Sequence, residues 1–125
     1  MRRILVIDDD ENWRDVVVLR LKRAGYDVTE AGDGQKGLRL FREQPVDLIL
    51  TDIMMPVHDG MEIIKSLKEA EVPVKIVAMS AGSPDFDWST PEHILETAKF
   101  LQVDQVLEKP FSEQELLQTM KKLLG

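Results

Sequence analysis

Five short apolar runs, rich in β-branched residues, recur along this chain and alternate with segments of helical periodicity. Strands that alternate with helices usually pair in parallel, and a parallel sheet is covered by helices on both faces. The pattern therefore predicts an α/β fold, a doubly wound five-stranded parallel sheet with five helices. The predicted strands are Ile4–Ile7, Val28–Thr29, Val46–Thr51, Val74–Met79 and Val103–Leu107.

Cap residues mark where the predicted helices begin, because Asp, Ser and Thr side chains accept hydrogen bonds from N–H groups of the first turn. We interpret Asp10 as a cap or a solvated charge. The apolar face of the first helix is predicted to include Val16, and that of the fourth helix to include Leu95. The predicted starts of the later helices are Asp33, Asp59 or Gly60, Thr90 before Pro91, and Ser112 in the capping box SEQE.

The acidic excess of the chain narrows its range of functions. The 125 residues suit one domain, 1–125, and 23 acidic against 16 basic side chains give a formal charge of −7. This charge opposes direct binding to nucleic acid and to anionic membrane surfaces. Cysteine is absent, which excludes disulfides and thiolate metal sites. Carboxylates interrupt the first apolar run too early for a signal peptide or a membrane span, so we expect a cytoplasmic protein.

Polar side chains collect where the predicted strands end. Asp8 and Asp9 follow the first strand, Asp52 the third, Ser80 the fourth and Lys109 the fifth. Ligands of doubly wound sheets bind at this edge. Carboxylates at close range raise each other's pKa, and a hard divalent cation resolves the repulsion. Mg²⁺ fits best because it binds carboxylates, phosphate oxygens and water, and Mn²⁺ is a substitute that the same donors accept. A lysine and a serine then suit a phosphoryl group.

Four motifs give the chain a resemblance to a known family. They are the acidic pair in VIDDD, the stretch DIMMPVHDG after the third strand, Ser80 after VAM, and LEKPF at the end of the fifth strand. In this order they resemble the receiver domain of two-component response regulators, over the whole chain and in the manner of the single-domain chemotaxis regulators. The resemblance implies a flavodoxin-like, receiver-type fold with strand order 2-1-3-4-5.

The resemblance also implies roles for residues at the strand ends. Asp52 would be the phosphoacceptor. Lys109 would pair with Asp52 and then with the phosphoryl oxygens, and the Lys109–Pro110 bond would be cis. Ser80 would donate a hydrogen bond to the phosphoryl group. The chain would be a phosphoacceptor that catalyses its own phosphotransfer and dephosphorylation rather than a conventional enzyme.

A metal site and signalling partners follow from the same resemblance. Asp8 and Asp9 would hold Mg²⁺, with Asp52 and the backbone carbonyl of Met54 completing the protein ligands. The phosphoryl donor would be a sensor histidine kinase or a histidine phosphotransfer protein. Phosphorylation would shift the face formed by the fourth helix, fifth strand and fifth helix, and so control a downstream protein.

The chain departs from the family pattern at three places, one of which is Gln102-Val103, where many receivers have Gly-Ala before the fifth strand. Receivers typically carry an aromatic residue three positions before the lysine, and here that position is Val106. The segment Ala81–Pro91 is longer than usual and holds Phe86 and Trp88, which are either a partner-binding patch or a cover for the core.

Three other functions remain open on the sequence. Val106 favours a receiver-like adaptor that works without phosphorylation, whereas the complete set of site residues opposes it. A Mg²⁺-dependent aspartyl phosphohydrolase resembling the haloacid dehalogenases would use Asp8–Asp10, but Asn12 stands where that family has Thr or Val. A flavin-binding module needs a phosphate-cradling loop after the first strand, where this chain is acidic.

Overall fold

The computed structural model describes residues 2–53, 60–71, 73–80 and 90–125, and strands alternate with helices throughout these ranges. The strands are β1 (Arg3–Ile7), β2 (Asp27–Ala31), β3 (Leu48–Asp52), β4 (Lys75–Ser80) and β5 (Gln105–Glu108). The helices are α1 (Glu11–Arg23), α2 (Gly34–Glu43), α3 (Gly60–Glu69), α4 (Pro91–Leu101) and α5 (Glu113–Leu124).

All paired strands are parallel, and they form one sheet in the order β2-β1-β3-β4-β5. The predicted fold class and strand order are therefore confirmed. The strand order reverses between β1 and β3, which are neighbours in the sheet. A crevice forms at such a reversal beyond the carboxyl ends of the strands. The residues that follow β1 and those that end β3 thus lie side by side at this crevice.

Two hydrophobic cores lie on opposite faces of the sheet, because successive side chains of a strand point to opposite sides. In β1, Ile4 and Val6 pack in the core under α1 and α5, whereas Leu5 and Ile7 pack in the core under α2, α3 and α4. All four side chains are fully buried. This division explains why the strands are nearly all apolar, since both faces of the sheet are covered.

Three predicted strands lie one or two residues too early in the sequence. In the sheet, Asp52 pairs with Met79 and Ser80 pairs with Glu108. The strands β3 and β4 therefore end on polar residues instead of stopping before them. At the other edge, Asp47 precedes β3 and accepts a hydrogen bond from Arg3 N at 2.8 Å. Asp104 likewise precedes β5 and accepts from Ile76 N at 2.8 Å. Apolar patterning marks the buried part of a strand, whereas hydrogen-bond pairing sets its ends. The second strand, predicted at Val28–Thr29, extends over Asp27–Ala31 for the same reason.

The predicted helix caps are confirmed wherever the structure describes them. Asp10 accepts from Trp13 N, Asp33 from Lys36 N, and Thr90 from His93 N. Ser112 and Glu115 form both halves of the capping box. Asp59 lies outside the described residues, and α3 begins at Gly60.

Two apolar side chains that were predicted to face the core are exposed. Val16 on α1 is 38% exposed and Leu95 on α4 is 56% exposed. In α1 the buried positions are Val17, Val18 and Leu21, so the helix is rotated slightly from the predicted stripe. In the part of the chain that the structure describes, no helix is long and apolar enough to cross a membrane.

Gly37 lets α2 pack closely against β1. A Cβ atom at this position would lie 2.8 Å from Cγ1 of Ile7, a fully buried side chain, and closer still to its Cδ1. We expect Gly37→Ala to lower the free energy of unfolding by about 1–3 kcal/mol in urea denaturation, because overpacking outweighs the helix-propensity gain of about 1 kcal/mol. Gln35→Ala, at an exposed position of the same helix, is the control. Equal stability of the two variants would contradict the close approach.

Candidate functional site

The carboxylates at the ends of β1 and β3 converge at the crevice. Asp8, Asp9 and Asp52 each offer a carboxylate oxygen, and these atoms lie within 4.8 Å of one another. Asp8 is fully buried and Asp52 is 6% exposed, whereas Asp9 is exposed. The cluster therefore opens to solvent on the side of Asp9. A group of like charges at this spacing is unfavourable unless a cation lies among them.

Lys109 supplies a positive charge to this cluster from the end of β5, the edge strand of the sheet. Its Nζ lies 2.7 Å from Oδ2 of Asp8 and donates a hydrogen bond to Oδ2 of Asp52 at 2.8 Å. The residue directly follows β5, its backbone N–H donates to the carbonyl of Ser80 at 2.7 Å, and its bond to Pro110 is cis. One ammonium group thus bridges the two buried carboxylates.

The environment shifts the pKa values of two of these groups. Burial raises the pKa of the Asp8 carboxyl from 3.8 to about 6, because desolvation outweighs the favourable contacts with Lys109 and the Asp10 N–H, and the charge of Asp52 adds to the rise. Burial also disfavours the Lys109 ammonium, but its hydrogen bonds and charge interactions with Asp52 and Asp8 outweigh this and raise its pKa. The lysine therefore stays charged, and further positive charge in the pocket would stabilise the buried carboxylate of Asp8.

Ser80 is the last residue of β4 and is fully buried. Its neighbour Met79 pairs with Asp52 in the sheet, and its own carbonyl accepts the hydrogen bond from Lys109 N. The hydroxyl-bearing residue therefore lies on the strand between those that carry Asp52 and Lys109. The sheet thus places these three residues, for which the sequence suggested phosphoryl chemistry, at neighbouring strand ends.

The donor set fits a hard divalent cation. The clustered groups are carboxylates, and Mg²⁺ binds through one or two carboxylates while it keeps several waters. Burial raises the pKa of the Asp8 carboxyl despite its contacts with Lys109, and a metal ion among these oxygens would favour its ionised form. Met54, whose carbonyl was predicted as a further ligand, lies outside the described residues, as do Phe86 and Trp88.

One residue that supports the site was missed by sequence reasoning. Arg14 Nη1 donates a hydrogen bond to the backbone carbonyl of Asp8 at 2.7 Å. The available signal was a basic residue near the start of a helix, where the dipole favours acidic ones. A single arginine in that position does not reveal which atoms it contacts, so only the structure identifies this role.

Comparison with known proteins places the chain in a family. The family model for the response regulator receiver domain matches residues 4–121, and the chain belongs to this family. It is similar to the alkaline phosphatase synthesis transcriptional regulatory protein PhoP of Bacillus subtilis (strain 168), with 33% identity over 123 residues. This match covers 98% of the chain and 48% of PhoP, so the chain spans about half the length of this curated relative.

Solved structures give the same result. The chemotaxis protein CheY4 of Vibrio cholerae is 28% identical, with 98% of each chain covered and a TM-score of 0.83. The response regulator TrrA of Thermotoga maritima, solved in complex with Mg(2+)-BeF, is 28% identical, with 98% of this chain and 99% of that chain covered and a TM-score of 0.80. Receiver domains are phosphoacceptor signalling domains of two-component systems. They bind Mg²⁺ at an acidic pocket, and they receive phosphoryl groups from histidine kinases or phosphotransfer proteins.

We predict that Lys109→Met lowers the midpoint of thermal unfolding in EDTA. The substitution keeps an unbranched side chain but leaves Asp8 and Asp52 without their cation, and breaking a buried pair in this way costs about 3 kcal/mol. Mg²⁺ should then raise the midpoint more in the variant than in wild type, because the metal takes over the neutralisation. Lys122→Met removes an exposed lysine of α5 and serves as control. A Lys109→Met midpoint equal to that of wild type in EDTA would contradict the bridging role.

Proposed function

We propose that this receiver domain is a phosphorylation-dependent switch in which Asp52 accepts a phosphoryl group from a phosphohistidine donor with the help of Mg²⁺. The observation that carries the proposal is the bridge from Lys109 Nζ to Oδ2 of Asp8 and of Asp52, at 2.7 and 2.8 Å. This bridge links the cluster of three carboxylates, which could hold a metal ion, to the ammonium group of Lys109, the residue after β5. This combination suits phosphoryl transfer, which depends on positioning and charge neutralisation.

In the proposed reaction, a carboxylate oxygen of Asp52 attacks the phosphorus atom of the donor. An O–P bond forms while the N–P bond of the phosphohistidine breaks, and the electron pair of that bond stays on the donor imidazole. The product is an acyl phosphate on Asp52. Attack of water on the phosphorus atom later releases inorganic phosphate and restores the carboxylate. Asp52 is 6% exposed, so access is confined to the open side of the crevice.

The surrounding residues share the charge of the phosphoryl group. Asp8, Asp9 and Asp52 would hold Mg²⁺, which neutralises the transferring oxygens when it is bound. Lys109 would exchange its hydrogen bond to Asp52 for one to a phosphoryl oxygen. Ser80, at the end of β4, would donate its hydroxyl to a second oxygen. Each of these groups lies at the same edge of the sheet, at the carboxyl ends of the strands.

The proposed output follows from the attachment of Lys109 to β5. When Lys109 changes its hydrogen-bond partner, the change is transmitted to β5 and to the adjoining α4 and α5. The populations of two conformations of this face would then shift. A sensor histidine kinase or histidine phosphotransfer protein would supply the phosphoryl group, and a downstream protein would read the α4–β5–α5 face. The acidic excess of the chain supports protein partners over nucleic acid.

Val106 supports a second candidate function. It lies in β5 opposite Ala78 and is 3% exposed, at the position where the family resemblance expects a mobile aromatic ring. A buried valine has no ring to move between inward and outward positions. The second candidate is therefore an adaptor that binds its partner independently of phosphorylation.

Asp52→Asn is expected to abolish phosphorylation. Wild-type protein incubated with acetyl phosphate and Mg²⁺ should gain one phosphoryl adduct by intact-mass spectrometry, and it should gain none when Mg²⁺ is replaced by EDTA. The Asn variant keeps the shape of the side chain but lacks the nucleophilic carboxylate, so no adduct should form. Asp10→Asn, which keeps a helix-capping residue, should be modified like wild type. Absence of an adduct on wild type under every condition would favour the adaptor.

Asp9→Ala is expected to weaken Mg²⁺ binding by about tenfold or more, since even outer partners of metal ligands are worth that much. Isothermal titration of the unphosphorylated protein measures the dissociation constant directly. Asp10→Asn is again the matched control, because Asp10 is adjacent in sequence but accepts its hydrogen bond from Trp13 N. Wild-type affinity in Asp9→Ala would refute the assignment of Asp9 as a metal ligand.

A further inference from the structure

Arg14 links the first turn of α1 to the carboxyl ends of two neighbouring strands. Its Nη1 donates to the carbonyl of Asp8 at 2.7 Å, and its Nε donates to Oε1 of Glu30 in β2 at 3.0 Å. The arginine side chain is only 16% exposed. The planar guanidinium holds several donors in a fixed fork, so two contacts in different directions fix its orientation.

The guanidinium of Arg14 also lies close to the backbone of Gly32. A Cβ atom on residue 32 would lie 3.2 Å from Nη1 of Arg14, so glycine at this position leaves room for the arginine. The turn that Arg14 holds is fixed at two further points. Asp8 N donates to the carbonyl of Ala31 at 3.1 Å, and Asp10 N donates to Oδ1 of Asp8 at 2.9 Å. The acidic turn is thus held on its backbone and on its side chain.

We infer that Arg14 is a positioning residue for the metal site: by holding the Asp8 carbonyl, it fixes the turn that presents the Asp8 and Asp9 carboxylates to Mg²⁺, and Gly32 makes room for it. This inference rests on the proposed Mg²⁺ site. The carboxylates of the turn repel one another and Asp52, and this repulsion favours their separation when no metal ion is bound. A backbone contact opposes that separation without occupying a carboxylate oxygen.

Charge alone predicts the opposite effect, which makes the inference testable. Arg14 carries a positive charge close to the metal site, so by Coulomb repulsion it should weaken Mg²⁺ binding. Removing that charge should then tighten binding. If Arg14 instead positions the ligands, removing it should weaken binding. Lysine at position 14 keeps the charge but lacks the fork, and it should fail to restore affinity.

The experiment is titration of Mg²⁺ into wild type, Arg14→Gln, Arg14→Lys and Gly32→Ala by calorimetry, together with hydrogen exchange at the Asp10 amide in EDTA. We expect the dissociation constant to rise about tenfold in both Arg14 variants, the usual effect of losing an outer partner of a metal ligand. Gly32→Ala leaves all charges unchanged and should weaken binding in the same direction. Exchange at the Asp10 amide should accelerate in all three variants.

Arg23→Gln is the matched control, because it removes the same charge from the same helix. Arg23 pairs with Glu113 of α5 at 2.8 Å and is 58% exposed, so this variant should bind Mg²⁺ like wild type. Unchanged or tighter binding in Arg14→Gln, or full affinity in Arg14→Lys, overturns the inference while the metal site stands. Failure of wild type itself to bind Mg²⁺ overturns the proposed site and this inference with it.

Discussion

One ammonium group between two buried carboxylates is the interaction on which the rest of the site depends. Lys109 Nζ lies within 2.8 Å of oxygens of both Asp8 and Asp52, whose side chains are buried. Charges interact more strongly there than in bulk solvent, so the pairing is both favourable and sensitive to any added charge. Desolvation raises the pKa of Asp8 even though Lys109 and the Asp10 N–H stabilise its carboxylate. Such a pocket has capacity for a metal ion.

Backbone contacts around the site fix the positions of its charged residues. The backbone N–H of Lys109 donates a 2.7 Å hydrogen bond to the carbonyl of Ser80. Asp52 pairs with Met79, the residue before Ser80 in β4. Groups attached to packed strands cannot shift independently, because the interior is close-packed on both sheet faces. Under the proposed function, a change of partner at Lys109 therefore acts on β5 and its neighbouring helices rather than on one side chain. On the other flank, Arg14 restrains the turn that carries Asp8 and Asp9.

The accuracy of the sequence predictions differs from one kind of feature to another. Caps such as Asp33 and Ser112 were predictable, because their hydrogen bonds run to residues three positions away. The ends of β3 and β4 were misjudged, since Asp52 and Ser80 are held in the sheet by partners far along the chain. Leu95 was wrongly expected to face the core, because periodicity gives the spacing of an apolar stripe but not the rotation of the helix on its sheet.

The sequence by itself determined the α/β class, the alternation of elements and the candidate residues Asp8, Asp9, Asp52, Ser80 and Lys109, because apolar periodicity and residue type are local properties. Only the tertiary structure decided that Lys109 contacts Asp8 and Asp52 together, and that Arg14 reaches the Asp8 carbonyl. These contacts depend on sheet register, helix rotation and burial, which arise when distant segments pack against each other. Burial is likewise a tertiary property, and desolvation is the main cause of the raised pKa of Asp8.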